Sequence, residues 1–283
     1  MDKKTVLITG ASSGFGLFTT LELARRNFHV IATMRNLENK DIIIKLCKQE
    51  GVNGSIEYFS LDVTDSTSIQ ELTSQLSHLP SIDILINNAG FALGGFAEEI
   101  CLHEYREQFE TNFFGTIAVT QAILPFMRHQ GGGKIINLSS ISGKIAFPGL
   151  SPYVASKHAL EGWTESLRLE VRPFGIDVAL IEPGSFQTNI WTKGKKIARK
   201  SMLSDSPYAM MMTAIEREME KGRENYGNPR SVALLIADLC SKRNLNKLRY
   251  PIGKGVKMLI LLKQIIPWKL WEKIVVNKLD VRP

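Results

Sequence analysis

Val6–Gly16, "VLITGASSGFG", places a short apolar, β-branched run directly before three glycines and two serines, and "LFTTLELARR" follows at once. That order, strand then glycine-rich turn then helix, suits an anionic ligand group. Glycines without side chains let the backbone turn tightly, and the free amides of a helix N-terminus face the charge. Gly10, Gly14 and Gly16 supply the turn, and the hydroxyls of Ser12 and Ser13 add donors. Similar turns also join strands to helices that bind nothing, so it is the position in a first strand–helix unit that carries the pyrophosphate reading.

Outward from this stretch, short apolar runs recur at 5–10, 29–34, 55–63, 82–88, 133–140 and 176–184. Nearly continuous hydrophobicity marks strands buried on both faces. Helix-length segments lie between them: Leu17–Asn27, with Leu17, Leu21 and Ala24 on one face, and Asp65–Leu79, opened by an Asp cap. Strict alternation predicts an α/β fold, a Rossmann-type doubly wound parallel sheet of about seven strands with helices on both faces. At 283 residues and 44% hydrophobic content, one domain is expected. Residues 1–184 form its core. Residues 185–230, where the pattern loosens, form a substrate lid over the carboxyl edge, and 254–283 form a basic amphipathic tail.

The net charge of +7 is unevenly placed. Residues 241–283 carry 11 Lys and Arg against two acids, so residues 1–240, with 24 against 26, are slightly negative. The body therefore has no nucleic-acid footprint. No run approaches the ~18 apolar residues of a membrane span, and a cytoplasmic location is expected. Cys47, Cys101 and Cys240 lack metal-ligand spacing and read as reduced, buried thiols. The five histidines include no HxxxH or Cys-His pairing, so no metal is expected. A P-loop is excluded because Gly133-Lys134 and Gly143-Lys144 both precede isoleucine.

Tyr153 and Lys157, in "YVASK", stand four apart on one face of a helix begun by Ser151-Pro152. A tyrosine of ordinary pKa ~10 transfers protons poorly at neutral pH, and an adjacent ammonium would lower that value. Ser140, at the carboxyl end of a strand, is placed to hold a substrate oxygen, with Ser139 and Ser142 as turn hydroxyls beside it. The full set, TG-x3-G-x-G (Thr9–Gly16), "NNAG" (Asn87–Gly90), Asn112 in "TNFFG", Ser140, Tyr-x-x-x-Lys and "PGSFQT" (Pro183–Thr188), resembles the short-chain dehydrogenase/reductase family over residues 5–190. Within it, "ATMRN", "GFALGGFAEE" and the chain length look most like the hydroxysteroid and retinol dehydrogenase branch.

The resemblance implies an oxidoreductase that interconverts a ketone or aldehyde and an alcohol, with Ser140, Tyr153, Lys157 and Asn112 as catalytic residues. It also implies that Asn112 kinks its helix and holds a water linked to Lys157. The cofactor residues it implies are Gly10, Ser12, Ser13, Gly14, Phe15, Gly16, Asp62, Val63, Asn88, Ala89, Gly90, Tyr153, Lys157, Pro183, Gly184, Phe186 and Thr188. Asp62 also reads as a turn carboxylate. At the end of the second strand Met34 and Arg35 stand where NAD binders carry a carboxylate, so NADP(H) is favoured over NAD(H). The other reading there has Arg35 solvated and Glu38 on the ribose.

Phe91, Leu93, Phe96, Phe147, Leu150, Phe186, Trp191 and Met210–Met212 are candidate walls for a lipophilic substrate, or else packing between lid and body. Two readings of the tail stay open: a peripheral contact with an anionic membrane, or a helix pair packed beside the pocket or on a partner subunit. A homo-oligomer fits the family by analogy. From another class, a non-catalytic dinucleotide sensor or scaffold remains as the alternative function.

Overall fold

The computed structural model describes residues 3–188 and 195–279. Among the described residues nine strands form: β1 (Thr5–Ile8), β2 (His29–Met34), β3 (Ser55–Ser60), β4 (Ile84–Asn87), β5 (Ala92–Gly94), β6 (Gly133–Leu138), β7 (Ile176–Pro183), β8 (Lys195–Ile197) and β9 (Arg249–Ile252). Seven make one all-parallel sheet in the order β3-β2-β1-β4-β6-β7-β9. All six runs read as strands are in it. The seventh, β9, contains Pro251 and sits at the edge, where a missing ladder donor is tolerated. β5 and β8 pair separately as a small parallel sheet that the sequence reading does not anticipate.

The helices are α1 (Gly14–Arg25), α2 (Lys40–Glu50), α3 (Ser66–Leu76), α4 (Leu102–Phe109), α5 (Gly115–His129), α6 (Ser151–Val171), α7 (Ala209–Gly222), α8 (Pro229–Ser241), α9 (Val256–Ile265) and α10 (Trp268–Lys278). Asp65 caps α3 as expected, accepting the Thr67 amide at 2.9 Å. Pro152 stands in the first turn of α6, where its missing N–H costs nothing.

Period-2 alternation divides the sheet's side chains between two apolar layers. Val6, Ile8, Val30, Ile86, Ile136 and Ile181 pack with Leu21, Leu23 and Ile236 on one face. Leu7, Ile31, Leu85, Ile135 and Val178 pack with Leu72, Ile123 and Leu167 on the other. The central strands β1, β2, β4, β6 and β7 are buried on both sides, so their runs lack a polar face, whereas the edge strands β3 and β9 are only half-buried. β1 has β2 on one side and β4 on the other, so the strand order reverses beside it. A crevice at the strands' carboxyl ends follows from that reversal.

α9 and α10 dock through a separate cluster. Val256, Ile260 and Trp271 bury against Ile145, with Ile141 and Phe147 beside them. The tail is thus a pair of helices packed on the segment between β6 and α6. Among the described residues no helix is long and apolar enough to cross a membrane.

Candidate active site

The glycine-rich turn is tied to "NNAG" by four hydrogen bonds. The Asn88 and Ala89 amides both donate to Thr9 Oγ1 at 3.0 Å, and Asn88 Nδ2 donates to the carbonyls of Thr9 and Gly10 at 2.9 Å. Asn87 points into the sheet, donating to Asn137 Oδ1 at 2.8 Å and Thr120 Oγ1 at 2.9 Å. Gly10 has φ +67°, and a Cβ on Gly16 would lie 2.4 Å from the Gly10 carbonyl oxygen. Both positions therefore need glycine. Ser13 precedes α1 in extended conformation without a side-chain cap, so the first amides of that helix are left for a ligand.

The other cofactor candidates lie around the same carboxyl edge. Gly90 abuts Asn112, and Thr188 comes to Gly14, whose Cβ would meet it at 3.8 Å. Met34 is buried, whereas Arg35 is exposed and makes no ion pair with a described residue. Asp62 accepts from the amide (2.9 Å) and hydroxyl (2.7 Å) of Thr64, which is the turn role that stood as its alternative. Val63 is buried next to Gly115. Phe15 and Phe186 meet edge to face at 5.5 Å, with Phe186 buried against Gly227. Pro183 and Gly184 close β7. A side-chain-free turn at a helix N-terminus, beside an unpaired arginine, fits a dinucleotide.

Ser140, Tyr153 and Lys157 converge where β6 ends against the start of α6. Ser140 is near enough to Tyr153 to act on its phenol, and Ser140 Oγ accepts the Ser142 amide at 3.0 Å. Lys157 Nζ donates to the Leu138 carbonyl at 2.7 Å and stands 5.8 Å from the centroid of the Tyr153 ring. All three residues are buried. Burial raises the Tyr153 phenol above its ordinary value and outweighs the lowering by Ser140. The net direction is opposite to the lowering expected from Lys157, and burial brings that ammonium itself down to about 8, against the raising field of Glu161. A buried phenol that keeps its proton is equipped to give one.

Asn112 sits in a π-helical turn, Glu110–Phe114, between α4 and α5, which is the irregularity expected of it. Its amide pairs with the backbone of Phe91, accepting the N–H at 3.1 Å and donating to the carbonyl at 3.0 Å, and reaches Ser156 Oγ at 3.4 Å. Asn112 is thus coupled to the helix that carries Lys157.

Sequence reasoning missed a charged group behind Lys157. Glu161, one turn further along α6, accepts from Arg249 Nε at 2.9 Å and lies 3.7 Å from Lys144 Nζ. Glu182, at the end of β7, is 3.5 Å from the same Arg249 nitrogen. Burial and the neighbouring Glu161 push Glu182 up to about 7, against the opposing pull of Lys144 and Arg249. The i, i+4 spacing of Lys157 and Glu161 was the available signal. Glu182 and Arg249 gave none, since 67 residues separate them in sequence.

The candidate walls divide. Leu93 and Phe96 are buried, and Phe96 stacks on Tyr208 at 4.4 Å, so both are packing. Phe186 is buried as well, and Met210, 82% exposed, faces solvent. Phe91, Phe147 and Leu150 stay half-buried, and Phe91 carries Lys196 over its ring at 4.7 Å. Trp191 lies outside the described residues. Cys101 is exposed and Cys47 half-buried, so only Cys240 is the buried thiol expected of all three. Among the described residues no group of His, Cys, Asp or Glu is placed to hold a metal ion.

Comparison with known proteins agrees with this geometry. The family model for short chain dehydrogenases matches residues 4–198. The chain is 48% identical over 279 residues to the oxidoreductase YusZ of Bacillus subtilis (strain 168), covering 99% of each. It is 36% identical over 260 residues to a 3-ketodihydrosphingosine reductase of Bacteroides thetaiotaomicron, covering 92% of this chain and 91% of that one. A crystal structure of a short-chain dehydrogenase from Streptomyces avermitilis superposes with a TM-score of 0.81 at 33% identity, over 98% of each chain. The chain belongs to the short-chain dehydrogenase family and is an oxidoreductase of the nicotinamide-dependent carbonyl/alcohol type.

Proposed function

We propose that this protein is an NADP(H)-dependent reductase of lipophilic ketones or aldehydes, or the corresponding alcohol dehydrogenase, with Tyr153 as general acid and base. The observation that carries the reading is the convergence of buried Ser140, Tyr153 and Lys157 at the end of β6, with Lys157 5.8 Å from the Tyr153 ring, in a fold whose first turn requires glycine. The dinucleotide, when bound, supplies or accepts the hydride. In the reductive direction Tyr153 passes its phenolic proton to the substrate oxygen as the carbonyl carbon is reduced. Ser140 holds that oxygen and disperses its developing charge. Lys157 stabilises the phenolate left behind and holds the nicotinamide ribose, and Asn112 keeps the water that returns a proton.

Gly10, Ser12, Ser13, Gly14 and Gly16 hold the pyrophosphate, and Asn88, Ala89 and Gly90 flank it. Asp62 and Val63 border the adenine. Pro183, Gly184, Phe186 and Thr188 face the nicotinamide side. Arg35, exposed and without an ion pair to any described residue, supports a 2′-phosphate and therefore NADP(H). The described parts of 185–230, namely 185–188 and 195–230, act as the lid, its residues 189–194 lying outside the described residues, and Phe91, Phe147 and Leu150 support an apolar substrate. A relative is named for reducing 3-ketodihydrosphingosine, a ketone, which agrees with the direction and class.

The test is consumption of NADPH, followed by its near-ultraviolet absorbance, with lipophilic ketones and aldehydes and with NADH in parallel. Turnover that prefers NADPH is expected. Tight NADPH binding without turnover on any carbonyl would favour the non-catalytic sensor.

A further inference from the structure

The two C-terminal helices bury one face and expose another that is just as apolar. On α9, Val256 and Ile260 are buried, whereas Met258 (65% exposed), Leu261, Leu262 and Ile265 (78%) face solvent. Their spacing of three, four and seven residues makes them a continuous stripe on the side away from the body. α10 continues it with Leu270 and Ile274, four residues apart and both about half exposed. At the corner between the helices Trp268 is 62% exposed, and Lys263 lies 4.5 Å from its ring centroid and 5.3 Å from that of Trp271. Exposed aromatic and apolar groups on this scale mark a contact surface.

Charge decides what the contact is with. Between Lys254 and Leu279 there are six lysines and one acid, Glu272. Lys257, Lys269, Lys273 and Lys278 are exposed around the stripe. A two-fold contact with a second copy would set this positive surface against itself. An anionic bilayer instead takes up the apolar side chains at its headgroup boundary, accepts tryptophan there and attracts the lysines.

We infer that the exposed face of α9 and α10 is a docking surface for anionic membrane lipid. The buried face of the same helices touches Ile141, Ile145 and Phe147, in the loop that joins Ser140 to Tyr153. Docking through this face sets that loop close to the lipid surface. A substrate dissolved in the bilayer then reaches the site without crossing water. The surface itself is argued from exposure and charge and does not depend on the redox chemistry.

The test is co-sedimentation of the full-length protein with vesicles of phosphatidylcholine and phosphatidylserine, and with phosphatidylcholine alone, across a salt series. Binding to the anionic vesicles that weakens as salt rises is expected. Lys257→Ser with Lys269→Ser should weaken it by about tenfold or more, at roughly 1 kcal/mol per lysine. Leu261→Gln with Ile265→Gln should abolish it. Both pairs are exposed and outside the active site, so turnover on a water-soluble carbonyl and the thermal midpoint should stay unchanged. Absence of binding to anionic vesicles at low salt would overturn the inference. So would a dimer by light scattering that the Leu261 and Ile265 changes convert to monomer. Neither result bears on the reductase assay in solution.

Discussion

At the scale of single residues, burial sets protonation in the candidate site. Tyr153 keeps its proton in the cofactor-free protein, and Lys157, deprived of water, holds its charge less firmly than an exposed lysine. Arg35 is the opposite case, an exposed cation without an ion pair among the described residues. Arg35→Ser should lower the preference for NADPH over NADH by about tenfold or more, read as the ratio of kcat/KM values. Glu182 provides a pH test. Its folded value, about 7, lies above the ordinary 4.5, so the folded state holds a proton that the unfolded chain has released. Stability is therefore lost as pH rises through that window. Glu182→Gln, uncharged throughout, should unfold less readily than the parent at about pH 8 and lose that advantage near pH 5, in paired thermal melts.

At the scale of elements, the glycine turn, "NNAG" and the end of β7 act as one unit because parallel strands bring their carboxyl ends to one edge. Gly16→Ala would press a methyl group into the Gly10 carbonyl and Asn88 Nδ2, 2.4 and 2.5 Å from the new atom, both parts of the turn's own hydrogen bonding. It should cost about 1–3 kcal/mol by denaturant unfolding. Calorimetric NADPH affinity should fall at least tenfold with it. The elements that read correctly were those with a local signature. Strands buried on both faces are continuous apolar runs, Asp65 announces α3, and Ser151-Pro152 announces α6. β9, with a proline and an arginine in four residues, has no such signature, and β5 and β8 exist only because residues 103 positions apart meet.

At the scale of the whole molecule, an ordered set of motifs made the fold and the site legible, and long-range packing hid the rest. Thr9, Asn88, Ser140, Tyr153 and Lys157 each stand next to the turn or strand end that identifies them. Leu93, Phe96 and Met210 did not separate into packing and solvent from sequence, because apolarity alone does not say which surface a side chain meets. The same limit applied to the tail, whose exposed and buried stripes are equally apolar. The central claim is proton transfer by Tyr153 to a carbonyl, and comparison of Tyr153→Phe with the parent tests it most directly. NADPH oxidation is followed with the best carbonyl of the panel, and NADPH binding is titrated alongside. The account predicts a loss of turnover of about a hundredfold or more with NADPH affinity little changed. Turnover by Tyr153→Phe close to that of the parent would contradict it.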